Sequence, residues 1–223
     1  MNTNSSVFPQ NYFELTESEK FEVLSNVKGD LDSNLFDNEI TRLTLESIQA
    51  VKQIQENNGE SGANRYIISN NESALNVMET FALFKLNNWE NLSVDIIPLF
   101  ESVDDLQNAH VIMEKLYTNP AYAEHLANRN HKQTIMLGFS DGTKDGGYLM
   151  ANWSIYKAKE ELTAMSIKYG VKVIFFDGRG GPPARGGGKT HKFYASLGPK
   201  IENKEIQITV QGQTISSNFG TLD

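Results

Sequence analysis

The sequence predicts an α/β fold in which short strands alternate with longer helices around a parallel sheet. Three observations support this prediction: runs rich in Val, Ile and Phe recur after residue 60, longer helical stretches separate them, and several runs lack the alternation of half-exposed strands. The predicted strands are 65–69, 94–100, 133–139, 171–176 and 205–210, and the helices between them are 72–86, 103–117, 147–169 and 190–197.

Two architectures fit five strands joined by mostly short connections, a doubly wound open sheet and part of a (β/α)8 barrel. Before the first strand, residues 38–55 carry the apolar stripe of an amphipathic helix, and residues 1–33 are polar without a sustained period. We therefore divide the chain into a polar and helical lead-in, 1–60, and a βα-repeat region, 61–223.

The composition disfavours several classes of function. The chain has 20 Lys and Arg against 28 Asp and Glu, a net charge of −8, which argues against a nucleic-acid partner. Cysteine is absent from the sequence, so disulfides, thiolate nucleophiles and cysteine-bound metals are excluded. No segment approaches the ~18 apolar residues of a membrane span and no basic leader opens the chain, so we expect a cytoplasmic protein without a membrane partner.

Histidine and serine chemistry finds little support in the sequence. The four histidines show no metal-binding spacing, and a G-x-S-x-G nucleophile motif does not occur. We expect His110 and His125 to lie on helix surfaces.

Charged residues follow three successive predicted strands. Glu101 follows the second, Asp141 and Lys144 the third, and Asp177 and Arg179 the fourth. Because the carboxyl ends of parallel strands meet at one edge of the sheet, these side chains are expected to converge there. Two carboxylates on neighbouring strand ends suit Mg²⁺ or Mn²⁺, which keep several waters and take one or two protein carboxylates.

A competing interpretation assigns the acids of the ESVDD segment to helix capping. Negative side chains are stabilised at a helix N-terminus, where the backbone dipole is positive. For Glu101, metal binding and helix capping both remain open, whereas for Asp104 and Asp105 we expect capping.

The segment DGRGGPPARGGGKTH, residues 177–191, has the composition of an oxyanion-binding loop. Glycines let backbone N–H groups approach an anion, and Arg179 and Arg185 supply bidentate contacts to phosphate or carboxylate oxygens. Its GGGKT stretch suggests a nucleotide-binding P-loop, but the pattern G-x-x-x-x-G-K-[ST] then requires glycine where Pro183 stands. Nucleotide binding therefore stays a distant alternative.

Several ordered motifs together resemble phosphoenolpyruvate carboxylase. They are PLFESVDDLQNA at 98–109, GFSDGTKDGG at 138–147, ANWSIYKAKEEL at 151–162, FDGRGGPPARGGGKTH at 176–191 and ITVQGQTI at 208–215. The resemblance implies a partial (β/α)8 TIM-type barrel with extra helices over 61–223. It also implies an enzyme that joins phosphoenolpyruvate and bicarbonate to give oxaloacetate and phosphate, with Mg²⁺ or Mn²⁺ and without biotin.

The same resemblance assigns roles to individual residues. It implies Glu101 and Asp141 as metal ligands. It further implies catalytic roles for Arg179, Arg185, Lys144 and Asp177, and a substrate-binding loop that contains Gly178, Gly180, Gly181, Gly186 and Gly187.

Two departures from the family are visible in the sequence. Asp177 stands where the family commonly has histidine, and Ala184 where it usually has glycine. Members are also several times longer than this chain. We therefore expect a segment of a longer enzyme, inactive alone, that associates with the remaining chain or with itself. The alternative is a non-catalytic partial barrel that binds an acidic ligand or a partner chain.

Overall fold

The computed structural model describes residues 7–89, 91–178 and 189–209. Within them the chain forms seven α-helices, five strands and short 3-10 turns. In chain order the elements are α1 (Glu17–Asn26), α2 (Glu39–Asn58), β1 (Arg65–Ile68), α3 (Ala74–Lys85), β2 (Asp95–Phe100), α4 (Val103–Thr118), α5 (Pro120–Asn128), β3 (Lys132–Leu137), α6 (Ser140–Lys168), β4 (Lys172–Asp177), α7 (Thr190–Ala195) and β5 (Ile206–Ile208).

The five strands form one sheet in the order β1-β2-β3-β4-β5. The pairs β2–β3, β3–β4 and β4–β5 are parallel, with Phe100 opposite Leu137 and Leu137 opposite Asp177. This confirms the predicted α/β class and all five predicted strands. The sheet of the described residues is not closed into a barrel, in agreement with a partial barrel.

The chain separates into two compact units that interleave in sequence. The first comprises residues 1–66, 73–96 and 115–130, and the second comprises 67–72, 97–114 and 131–223. Helices α1, α2, α3 and α5 belong to the first unit, whereas α6, α7 and β3 to β5 belong to the second. Among the described residues, no helix combines the length and apolar character needed to cross a membrane.

The lead-in contains more order than its composition suggests. Thr16 and Glu19 form a reciprocal capping box that starts α1, a helix that packs against α3 and α5 in the first unit. Leu24 of this helix is fully buried. A single apolar face on a ten-residue helix gives too few repeats to show a period, which is why residues 1–33 carry no sustained period in the sequence.

Two further helical segments differ from the prediction. Helix α5, with Asn119 as its N-cap and Pro120 at its first position, was not predicted. Helix α6 begins at Ser140 rather than at 147, and Gly147 interrupts it with φ 79° and ψ 170°. A positive φ is unfavourable for residues with a side chain. Gly147 therefore separates the short polar segment 140–146 from the long helix that follows it.

Phe84 anchors the core of the first unit. It is fully buried, and its ring meets the rings of Tyr66 and Trp89 edge to face at centroid distances of 5.1 and 5.6 Å. Such pairs stabilise a core beyond the area they bury.

We predict that Phe84→Ala lowers the free energy of unfolding by about 3–5 kcal/mol, because it leaves a cavity among these rings. Phe13→Ala is the matched control, since Phe13 is 62% exposed, and its effect should stay within ~0.5 kcal/mol. Urea unfolding monitored by Trp fluorescence measures both. Equal midpoints for the two variants would contradict this account of the core.

The structure shows that the expected surface position of His125 is wrong. The side chain is only 6% exposed and lies 5.3 Å from the Phe81 ring and 5.7 Å from the Tyr122 ring, centroid to centroid. Burial, with a smaller effect of the nearby Arg129 cation, lowers the pKa of His125 to about 4. His125 therefore folds as a neutral core residue.

Folding stability should consequently fall as the pH drops from about 6.5 towards about 4, because the unfolded chain binds a proton that folded His125 resists. His125→Phe removes this effect. Its unfolding free energy should change less between about pH 7 and about pH 5, by about 2 kcal/mol, than that of the wild type. His131→Asn is the control, since His131 is exposed and its left-handed backbone suits asparagine. An unchanged pH dependence in His125→Phe would refute the assignment.

Candidate active site

Glu101 directly follows β2, and the capping box that starts α4 does not include its carboxylate. The N-terminus of α4 is instead closed by Ser102 and Asp105: the Ser102 Oγ accepts from the Asp105 N–H at 3.0 Å, and the Asp105 carboxylate accepts from the Ser102 N–H at 3.0 Å. This confirms capping for Asp105. The Glu101 Oε1 accepts from the backbone N–H of Asn70, which follows β1, at 3.3 Å.

The end of β3 lies directly against Glu101. The Gly138 N–H donates to the Phe100 carbonyl at 2.8 Å, and a Cβ at residue 138 would lie 3.1 Å from the Glu101 Cα. A Cβ at Gly142, in the first turn of α6, would lie at an ordinary contact distance of 3.5 Å from the Glu101 carbonyl oxygen. Glycine at 138 thus allows the close approach that brings the turn with Asp141 next to the backbone of Glu101. The structure thus places the two predicted metal ligands after adjacent strands, Glu101 directly after β2 and Asp141 in the first turn of α6, which follows β3.

Lys144 pairs with Asp141 one turn along the same helix. The Nζ to Oδ1 distance is 2.7 Å, and the two side chains are 77% and 49% exposed. An exposed pair of this kind contributes only about 0–1 kcal/mol to stability. A ligand can therefore displace the ammonium group at little cost.

Asp177, at the end of β4, is placed differently from the other two acids. Its side chain is 3% exposed, and its Oδ2 accepts from the Nζ of Lys159, which is 2% exposed, at 2.8 Å. The hydroxyl of Tyr194 donates to the same oxygen. Burial, together with the charge of Asp177 and this hydrogen bond, raises the pKa of Tyr194 well above its usual value, so the hydroxyl stays protonated.

Most of the glycine-rich loop lies outside the described residues. This applies to the predicted residues Arg179, Gly180, Gly181, Arg185, Gly186 and Gly187. Gly178 is described and buried, and a Cβ there would lie 3.3 Å from the Met136 Cε. The segment that carries both arginines therefore departs from a tightly packed strand end.

Sequence reasoning missed three residues at this edge of the sheet. Lys159 and Tyr194 lie on helices, and no pattern in these helices indicates that either side chain binds an acid. The signal that could have found them is an aspartate at the end of a buried strand, because a buried carboxylate needs a cation. Asn71, after β1, is fully buried, and neither its Oδ1 nor its Nδ2 meets a partner among the described residues. Its local pattern carries no signal that could have identified it.

Comparison with known proteins agrees with the motifs that meet at this edge. The family model for phosphoenolpyruvate carboxylase matches residues 3–223. Over 220 residues the chain is 36% identical to the phosphoenolpyruvate carboxylase of Nitrosomonas eutropha, and 34% identical to that of Nitrosomonas europaea. Each alignment covers 94% of this chain and 24% of the relative, so the chain spans about a quarter of the length of these curated relatives. The chain belongs to the phosphoenolpyruvate carboxylase family.

Proposed function

We propose that this chain supplies the metal- and phosphate-binding part of a cytoplasmic phosphoenolpyruvate carboxylase, which converts phosphoenolpyruvate and bicarbonate to oxaloacetate and phosphate. One observation carries the proposal: Glu101 directly follows β2, and the first turn of α6, which carries Asp141 after the neighbouring strand β3, packs on the Glu101 backbone. Two relatives named for this activity share 34–36% of the aligned sequence.

The donor set fits a hard divalent cation. Among residues 7–89, 91–178 and 189–209, His, Asp and Glu form no group of three or more that could hold a metal. Mg²⁺ and Mn²⁺ are suited to a smaller set, because they use one or two carboxylates and complete their shell with water and substrate oxygens. We assign Glu101 and Asp141 to this role. When bound, the ion supplies positive charge close to the substrate oxygen that becomes negative as phosphate is transferred.

The chain's own cations complete the charge balance. Lys144 is largely exposed and pairs with Asp141. When a ligand takes its place at the carboxylate, its ammonium group would bind the oxygen atoms of that ligand. Arg179 and Arg185 follow β4 in sequence, and guanidinium groups bind phosphate and carboxylate oxygens in pairs. Together these residues would hold the phosphoryl group and bicarbonate in reach of each other without biotin.

Exposed apolar side chains on α6 favour association. Leu149 is 82% exposed and Trp153 59% exposed, and with Phe193 and Leu197 they line an open cavity of about 300 Å³ in the second unit. Large exposed apolar patches commonly mark interfaces. We propose that the remaining chain of a longer carboxylase, or a second copy of this one, covers them.

The metal assignment predicts that Glu101→Gln and Asp141→Asn each weaken Mn²⁺ binding by at least the roughly 10–100-fold that supporting residues of metal sites contribute. Asp104→Asn is the matched control, since Asp104 is exposed on the same helix start and should leave the affinity unchanged. Calorimetry on the intact protein measures the three affinities. Unaltered binding in both site variants would exclude these residues as ligands.

The arginine assignment predicts a different kinetic result. In the longer enzyme that contains this chain, Arg179→Gln and Arg185→Gln should lower kcat/KM for oxaloacetate formation by about 100-fold or more, because each removes a charged donor from the transferring group. Mn²⁺ affinity should be unaffected. Oxaloacetate formation coupled to malate dehydrogenase measures the rate. Full activity in both variants would remove the arginines from the reaction.

A further inference from the structure

A buried charge cluster joins the two ends of the glycine-rich loop. Asp177 is the last residue of β4, Tyr194 lies on α7, and their side chains are in direct contact, so the 17-residue separation between them is closed into a loop. Lys159, from α6, donates to the same carboxylate oxygen. Three elements of the second unit therefore meet at one atom.

Lys159 is fixed by more than its ion pair. Its Nζ lies 5.4 Å from the ring centroid of Phe175 and 5.4 Å from that of Tyr194. Desolvated cation–π contacts of this kind hold a cation in one place. The lysine thereby touches β4 and α7 at once.

Such a cluster is an unusual way to gain stability. Burying two charges carries a large desolvation cost, and well-packed apolar residues in their place are often neutral or stabilising. Directional bonds to a single oxygen, in contrast, fix positions more sharply than apolar contacts do. The cluster is thus better suited to setting geometry than to holding the fold.

We propose that Lys159 and Tyr194 are positioning residues: through Asp177 they set where the segment that carries Arg179 and Arg185 leaves β4 and enters α7. Asp177 then acts on the reaction only through the loop ends that it holds. The inference deepens the proposed function and rests on it only for its kinetic test.

The first test is independent of activity. The intact protein and its variants Lys159→Met and Tyr194→Phe are treated with an arginine-specific protease, and the cleavage rate at each site is followed by mass spectrometry. We expect cleavage after Arg179 and Arg185 to rise about tenfold in Lys159→Met, with a smaller rise in Tyr194→Phe, because the loop ends open locally. Cleavage after Arg42 and Arg129, elsewhere in the chain, should not change.

Lys157→Met provides the matched control. Lys157 lies on the same helix and pairs with Glu160 at 2.6 Å, but it is 40% exposed, so its loss should leave all cleavage rates unchanged. Equal rates after Arg179 and Arg185 in wild type and variants would overturn the proposal. A parallel rise at all arginines would also overturn it, because the cluster would then only stabilise the fold. If Lys159→Met fails to fold, Tyr194→Phe decides, since it removes one hydroxyl and keeps the ring.

The kinetic test separates positioning from general damage. Tyr194→Phe should lower kcat/KM for phosphoenolpyruvate about tenfold while Mn²⁺ affinity at Glu101 and Asp141 stays constant, because only the loop ends move. Unchanged kcat/KM, or a parallel loss of Mn²⁺ affinity, contradicts the inference. A longer wild-type enzyme that contains this chain and lacks carboxylase activity would refute the proposed function and leave the proteolysis result to decide the positioning role.

Discussion

Parallel pairing between β2, β3 and β4 determines where the charged side chains of the candidate site lie. Phe100, Leu137 and Asp177 stand side by side at the ends of these strands. β2 and β3 each lead into the next helix within three residues, and Asp177 is the last residue of β4, so Glu101, Asp141 and Asp177 emerge at one edge. Because parallel strands need crossover helices, the same pairing buries the strands on both faces and leaves that edge as the place for polar chemistry.

The three acids at this edge differ in what surrounds them. Asp141 forms a solvent-exposed pair with Lys144 that a ligand can open at a cost of about 1 kcal/mol or less. Asp177 forms a buried pair with Lys159, and opening it would leave an uncompensated charge in the interior, which costs about 3–5 kcal/mol. Acids of equal charge at neighbouring strand ends therefore separate into one that can exchange partners and one that is locked. Glu101, half-buried and held by one backbone N–H, stands between these cases.

The sequence was informative where a single physical requirement dominates a segment. Runs rich in Val, Ile and Phe predicted all five strands, and several of these runs lack alternation because strands covered on both faces are apolar on both faces. The strand ends followed from the same reasoning, so Glu101 and Asp141 were found as neighbours. Helix α5 was missed because a helix of nine residues that begins at Pro120 contains too few apolar repeats to show a period. The position of His125 was predicted wrongly because its packing between Phe81 and Tyr122 cannot be inferred from the neighbouring sequence. Partners such as Lys159, 18 residues from Asp177, are set by tertiary packing alone.

Asp177 illustrates why a role transferred by motif needs the contacts of the individual chain. By its resemblance to the family motif the chain has aspartate where histidine is common, and a carboxylate buried at this position needs hydrogen-bonding and charged partners. Lys159 and Tyr194 provide both, from helices on either side of β4 in the sequence. The acid is thereby satisfied by protein groups rather than by a ligand. In the positioning role that we propose, Asp177 acts on the reaction through the residues that it holds in place, above all through the ends of the segment that carries the two arginines.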